Sequence, residues 1–298
     1  MPFCWLPLLA SYALFQVTSF GALAAAAWGL TSRKAMIPLL LLLSPAAGVT
    51  VVAGQNAFLT AALVLGGLRL LPNAPVLAGI LFGLLTVKPQ FGLLIAVALC
   101  AGRYWRAMFA ATATAGLLAL ASLAVFGWQA WADWFAFFLS PDPLIHREWM
   151  EWSRMWGLSV FTCARLAGLP DSLATAAQLI AIGVAVALTW HCFRRPYISA
   201  TRILVVMAAT MLTAPHVSTY DLTWLTVSAC LLALAAWRDG VRSGEAVLLL
   251  LLWLAPLLNP PRAFPIGVLT PLLILGFVAV ALSREWAHPG THRFRAFA

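Results

Sequence analysis

The chain alternates long apolar runs with brief polar interruptions, and stretches such as 22–30, 37–43 and 247–254 hold almost nothing that water would favour. A helix needs ~20 apolar residues to cross a bilayer. Segments near 5–30, 35–53, 56–72, 75–87, 89–101, 105–126, 173–193, 202–214, 220–237, 244–258 and 265–283 meet that length or approach it. The pattern predicts an all-α, polytopic membrane protein with about 10–11 membrane segments, some of them short broken helices. The runs 75–87, 89–101 and 202–214 are short. The first two are separated only by Lys88-Pro89, where proline removes a helix hydrogen bond. Irregular backbone at membrane depth is tolerated where it lines a wet cavity or is buried in protein. These segments are therefore predicted to stop below the surface and enclose a cavity. A single kinked helix over 75–101 is the competing reading, and it would move Arg103 to the opposite side.

Composition supports the membrane reading. Of 298 residues, 63% are hydrophobic and 9% charged, against about 25% charged in soluble domains. The net charge of +9 suggests nucleic acid, but the basic residues are scattered through short loops between apolar spans, which excludes it. If the first span ends inside, 13 of the 18 basic residues fall inside, among them Arg33, Lys34, Arg69, Arg103, Arg106, Arg194, Arg195, Arg202, Arg238, Arg242 and Arg284. Lys88, Arg147, Arg154, Arg165 and Arg262 fall outside. That bias marks the cytoplasmic side, so the expected location is the plasma (inner) membrane with the N-terminus outside. The run 157–169 is too short to span and carries Arg165, and as a span it would flip every later loop. It is predicted to lie in the interface, flanked by tryptophans 128, 131, 134, 149, 152 and 156. The chain thus divides into helices over 1–126, an external interfacial segment over 127–172, and helices with a short basic tail over 173–298. Met1-Pro2-Phe3-Cys4-Trp5 leads straight into a span without a basic leader, as if the chain began mid-structure.

The polar interruptions share one side. They are Gly54-Gln55-Asn56, Lys88-Pro89-Gln90, the segment 127–172, Pro215-His216 with Tyr220-Asp221, and Asn259-Pro260-Pro261-Arg262. Gly54-Gln55-Asn56 reads either as a plain turn or as paired amides binding hydroxyls or phosphate at a cavity mouth. Lys88 stands in an apolar stretch, where a charge costs ~2.5–3.5 kcal/mol at mid-membrane. Such residues face a cavity or a partner, here an anion such as phosphate; the alternative is a lysine snorkelling from a helix end. His216 and Asp221 could act as an acid–base pair, or Asp221 could simply cap the next helix. Asp142, His146, Glu148 and Glu151 read as solvated loop charges. The five cysteines show no metal spacing, and no catalytic triad, phosphate-binding loop, dinucleotide fingerprint or metal-ligand set occurs. No metal and no cofactor is expected.

Taken together, Leu43-Ser44-Pro45, Gly54-Gln55-Asn56 before Leu59, the run from Val76 to Lys88-Pro89-Gln90, and Ala214-Pro215 with Tyr220-Asp221-Leu222 resemble glycosyltransferase family 87. The resemblance covers about 1–285 and implies a GT-C class membrane enzyme. It implies a polyprenyl-phosphate sugar donor, a hexose such as mannose, and a lipid or glycan acceptor on the outer face. It also implies inversion at the anomeric centre, with a carboxylate as general base. In such enzymes the catalytic aspartate usually lies in a first external loop, and this chain begins downstream of that loop. On this reading Lys88 holds the donor phosphate, Gln55, Asn56, Gln90 and Tyr220 line the donor pocket, and Asp221 and His216 are the candidate catalytic groups. A transporter or lipid flippase is the alternative, with a truncated, non-catalytic relative a further one.

Overall fold

A computed structural model describes residues 5–28, 30, 35–139, 157–194, 200–242, 244–257 and 269–287. Among these residues the regular structure is helical apart from one antiparallel bridge, Gly157 to Ser218, with short turns between the helices. The helices are α1 (Leu8–Ala27), α2 (Met36–Leu42), α3 (Pro45–Val52), α4 (Ala57–Leu70), α5 (Pro75–Leu84), α6 (Leu93–Ala101) and α7 (Trp105–Phe138). They continue as α8 (Val160–Leu166), α9 (Asp171–Phe193), α10 (Ala200–Thr213), α11 (Thr223–Asp239), α12 (Glu245–Leu254) and α13 (Thr270–Ala287). Three of them, α1, α7 and α9, are long and apolar enough to cross a membrane, and shorter apolar helices fill the bundle between them. The chain is an all-α polytopic membrane protein.

The unequal lengths have a visible consequence. α1 and α4 run antiparallel and are pinned at both ends. Gln16 Nε2 donates to the Gln55 carbonyl (3.2 Å) just before α4 begins. At the far end Arg69 Nη1 donates to the carbonyls of Ala26 and Trp28 (2.9 Å for the latter), which close the last turn of α1. Gln16 lies eight residues into α1, so α1 rises ~12 Å past the start of α4 at 1.5 Å per residue. The Gly54-Gln55-Asn56 turn is recessed below the tip of α1, with Gly54 against the Tyr12 ring and the Gln55 carbonyl against Gln16.

The chain reverses at Lys88. Gly79 and Gly83 lie against the backbone of α7 beside Ala107 and Ala111, in the same order along both helices, so α5 and α7 run parallel. A Cβ at Gly83 would come 2.7 Å from the Ala111 carbonyl oxygen, so only glycine permits this approach. Small residues four apart are the usual device for close helix contact in membranes. Since α6 leads back to the start of α7, it must run opposite to α5. Two short 3-10 turns, Leu85–Val87 and Pro89–Phe91, make the reversal around Lys88.

Two expectations are modified. The run 35–53 is not one helix but α2 and α3, split at Ser44-Pro45. Pro45 occupies the first turn of α3, where its missing N–H is harmless, and Ser44 Oγ accepts from Ala47 N–H (3.2 Å) as the cap. The run 157–169 does not simply lie on a surface. Leu158 N–H donates to the Val217 carbonyl (2.7 Å), and Leu158, Ser159 and Cys163 are buried. The α9 side chain Gln178 ties it down, accepting from Phe161 N–H (3.0 Å) and donating to the Leu212 carbonyl (2.8 Å). α7 breaks at Gly127 (φ 77°, ψ 169°), a conformation open to glycine, and the continuation carries Trp128, Trp131 and Trp134.

Candidate functional site

The link from α10 to α11 folds back over the recessed end of the bundle. It ends in a 3-10 turn, Thr219–Leu222, built on a reciprocal cap between Ser218 and Asp221. Asp221 Oδ2 accepts from Ser218 N–H (3.0 Å), and Asp221 N–H donates to the Ser218 carbonyl (2.8 Å). A serine three residues before a carboxylate makes this turn readable in sequence. What sequence does not reveal is the partner of the other carboxylate oxygen. Lys88 Nζ reaches Asp221 Oδ1 at 2.5 Å, across 133 residues of chain.

The pair is buried unequally, with 12% of the Lys88 side chain exposed and 3% of Asp221. Lys88 Nζ also sits over the Tyr220 ring, 4.7 Å from its centroid, and over Phe91 at 5.5 Å. Both distances suit attraction between a cation and an aromatic face. The lysine is therefore held in a shell of one carboxylate oxygen and two rings, with one side open.

A second layer braces this shell. Phe91 packs on Trp224 with ring centroids 4.9 Å apart. Trp224 Nε1–H donates to Thr60 Oγ1 (3.1 Å), one turn into α4. Thr50 and Thr223 share a hydroxyl hydrogen bond (3.0 Å), and Thr223 Oγ1 donates to the Tyr220 carbonyl (2.9 Å). Thr50 also accepts Gln55 N–H on its carbonyl (3.1 Å). The Gly-Gln-Asn turn and the Asp221 turn are thus coupled through Thr50.

The structure brings Lys88, Tyr220 and Asp221 into contact and sets Gln55 and Asn56 beside them through Thr50. Gln90 is half-buried next to Pro89 and makes no hydrogen bond among the described residues. His216 is exposed at the rim, two residues from Ser218, and partial desolvation holds its imidazole below the ordinary histidine value. Asp142, His146, Glu148, Glu151 and the Asn259–Arg262 cluster lie outside the described residues. Residues that sequence reasoning passed over are Gln16, Thr50, Thr60, Phe91, Ser218 and Trp224. Of these, Gln16 carried a usable signal, since a glutamine within a 20-residue apolar helix is conspicuous.

A recessed lysine with a replaceable anionic partner, on a wall of aromatic rings and amides at one end of a membrane bundle, has the elements of a site for an anionic, polar substrate. The family model for glycosyltransferase family 87 matches residues 1–219. The chain belongs to glycosyltransferase family 87. No curated protein and no solved structure matches it. The family match takes in Gln16, Gln55, Asn56, Lys88 and Gln90 and ends just before Tyr220 and Asp221. The importance of those two residues rests on their contact with Lys88. The protein is a membrane glycosyltransferase, with a sugar donor and an acceptor as its substrates.

Proposed function

We propose that this glycosyltransferase moves a hexose, mannose in the first instance, from a polyprenyl-phosphate donor to a lipid or glycan acceptor at the outer face of the plasma membrane. The observation that carries the reading is the Lys88–Asp221 pair. A donor anchored by a lipid tail presents its phosphate from within the membrane, at the end of the bundle where Lys88 is held. Lys88 is a point charge with an open side and a single carboxylate oxygen as partner, so a phosphate can take it over. No separate nucleotide domain is then required.

The chemistry follows from that exchange. The donor phosphate draws Lys88 off Asp221, and Oδ1 becomes free to accept a proton. The acceptor hydroxyl oxygen attacks the anomeric carbon as the carbon–oxygen bond to phosphate breaks. The electron pair of that bond goes to the departing polyprenyl phosphate, whose charge Lys88 balances. The acceptor proton goes to Asp221 Oδ1. A single displacement inverts the anomeric centre. His216 stands at the rim, on the route of the acceptor. The arrangement favours an enzyme over a transporter, because the polar side chains gather at one end of the bundle while, among the described residues, the other end carries a buried, mutually satisfied Arg284–Glu245 pair, whereas a transporter opens its site to both faces.

The test is transfer of labelled mannose from polyprenyl-phosphate mannose to membrane acceptors by purified, reconstituted protein. Lys88→Gln is expected to lower kcat/KM at least 100-fold while the folded yield stays constant. Asp221→Asn is expected to lower kcat more than it raises the donor KM. Unchanged transfer by Lys88→Gln would overturn the phosphate assignment, and no transfer by the wild type from mannose or glucose donors would overturn the donor class.

A further inference from the structure

The Gly-Gln-Asn turn and the α1 residue bonded to it hold two buried acceptor atoms with no hydrogen-bond partner among the described residues, Asn56 Oδ1 and Gln16 Oε1. The two residues are joined through one peptide unit. Gln16 Nε2 donates to the Gln55 carbonyl, and the next residue is Asn56. That donation also fixes which way the Gln16 amide points, since a carbonyl can only accept, so the orphaned atom is its oxygen.

Asn56 is unusual in a second respect. It is the N-cap of the 14-residue α4, a position where asparagine normally spends its side-chain oxygen on the helix's own N–H groups. Here it makes no such bond. Its oxygen is buried without a partner among the described residues. Gln16 itself is 5% exposed, in the wall of α1 beside the recess. Buried polar atoms of folded proteins almost always find partners, and exceptions mark places where a partner arrives from elsewhere.

The sign of the two atoms selects the partner. Both are neutral carbonyl oxygens, which accept hydrogen bonds and repel anions. They suit O–H donors and cannot hold phosphate. Lys88, in contrast, has only donors. We infer that Gln16 and Asn56 form a hydroxyl-reading pocket for the neutral sugar ring, separate from the phosphate pole at Lys88, with Gln16 of α1 as a specificity-determining residue. The inference rests on the glycosyl-transfer reading for the nature of its ligand. It places the donor with its sugar toward α1 and α4 and its phosphate toward the 3-10 turns at Lys88.

The experiment separates this pocket from catalysis. Saturation-transfer NMR on the detergent-solubilised full chain, with methyl α-mannoside and methyl α-glucoside as probes, reads sugar binding without turnover. The wild type is expected to bind at least one of them. Gln16→Met, close in volume and without an acceptor oxygen, and Asn56→Ala are each expected to weaken that binding about tenfold. Asn56→Ala should leave the thermal midpoint unchanged, because its orphaned oxygen contributes no bond to the fold. Gln16→Met also loses the Nε2 donation to the Gln55 carbonyl and should lower the midpoint slightly. In the transfer assay the donor KM of Gln16→Met should rise by the same factor with kcat little changed. A donor lacking the hydroxyl that Gln16 reads should lose affinity for the wild type but not for Gln16→Met. If Gln16→Met fails to fold, Asn56→Ala alone decides. No sugar binding by the wild type, or equal binding by the variants, overturns the pocket even if transfer proceeds. Sugar binding lost in the variants, with no transfer from any polyprenyl-phosphate sugar, leaves the pocket standing and overturns the donor assignment.

Discussion

The bundle contains a buried ion pair near each end, and the two are built differently. At the arginine-bearing end, Arg284 grips Glu245 with two nitrogens, one at 2.5 Å, and both side chains are almost fully enclosed. The same guanidinium donates to the Gly240 carbonyl (2.7 Å), and Arg242 N–H donates to the same carboxylate (2.8 Å). Arg242 also reaches Ser283 Oγ (2.9 Å). Three helices, α11, α12 and α13, are fastened by one closed network. At the opposite end Lys88 offers a point charge to one oxygen of Asp221, with an open side and two aromatic faces for company. A forked guanidinium that donates to both oxygens of one carboxylate is a rivet. An ammonium held by one oxygen is a charge that can change hands. Burial alone would have ranked the pairs together; the count and geometry of their bonds separates a scaffold from a site.

The comparison can be broken most forcefully at Glu245. Glu245→Ala leaves Arg284 buried without its counter-charge, and is expected to cost about 3–5 kcal/mol. Thermal unfolding in detergent, or the fraction of monodisperse protein, checks this; a wild-type midpoint would show that water reaches the network. Arg284→Lys keeps the charge and loses the fork. Its expected cost is smaller, about 2 kcal/mol, and it should be the more harmful of the two Arg/Lys exchanges when compared with Lys88→Arg. The least destabilising change is expected at Lys88 itself. In Lys88→Gln the new side-chain amide can still donate to Asp221 Oδ1, while Ser218 N–H continues to hold Oδ2, so stability should fall by no more than about 1 kcal/mol. A loss as large as that of Glu245→Ala would mean that the two pairs do the same work.

Much of the scaffold was legible, and the reasons are local. Lys88-Pro89 announces its break because proline and charge are both wrong for a helix in lipid. The helix bend at Gly127 falls where apolar residues give way to tryptophans. The split at Ser44-Pro45 was less visible, although a cap residue followed by proline is a helix start, because the apolar run continues through it without change of character. Lys88, Tyr220 and Asp221 could each be picked out as polar residues on one side. Their mutual contact could not, because it depends on how α5, α6 and α11 pack, and nothing in either short motif specifies the other. Gly79 and Gly83 had a readable spacing, but their meaning needs the α7 backbone lying against them. Gln16 stood out as a glutamine in an apolar helix, but its pairing with the Gln55 carbonyl did not, because that depends on how α1 packs against α4.

The different heights of α1 and α4 bear on the surrounding lipid. Where a tall helix stands beside short ones, the hydrocarbon layer must thin along the low flank or leave apolar side chains unmatched, and each ångström of mismatch carries an energetic penalty. α4 itself is buried, so the low flank that meets lipid is the end of α3, where Val51 and Val52 are exposed beside the Gly-Gln-Asn turn, and there the headgroup plane is expected to dip toward the protein. An anionic headgroup following the contour is carried inward without leaving its leaflet. Bilayer thickness thereby becomes a control on access, and short-chain lipids should open the entrance that long-chain lipids close.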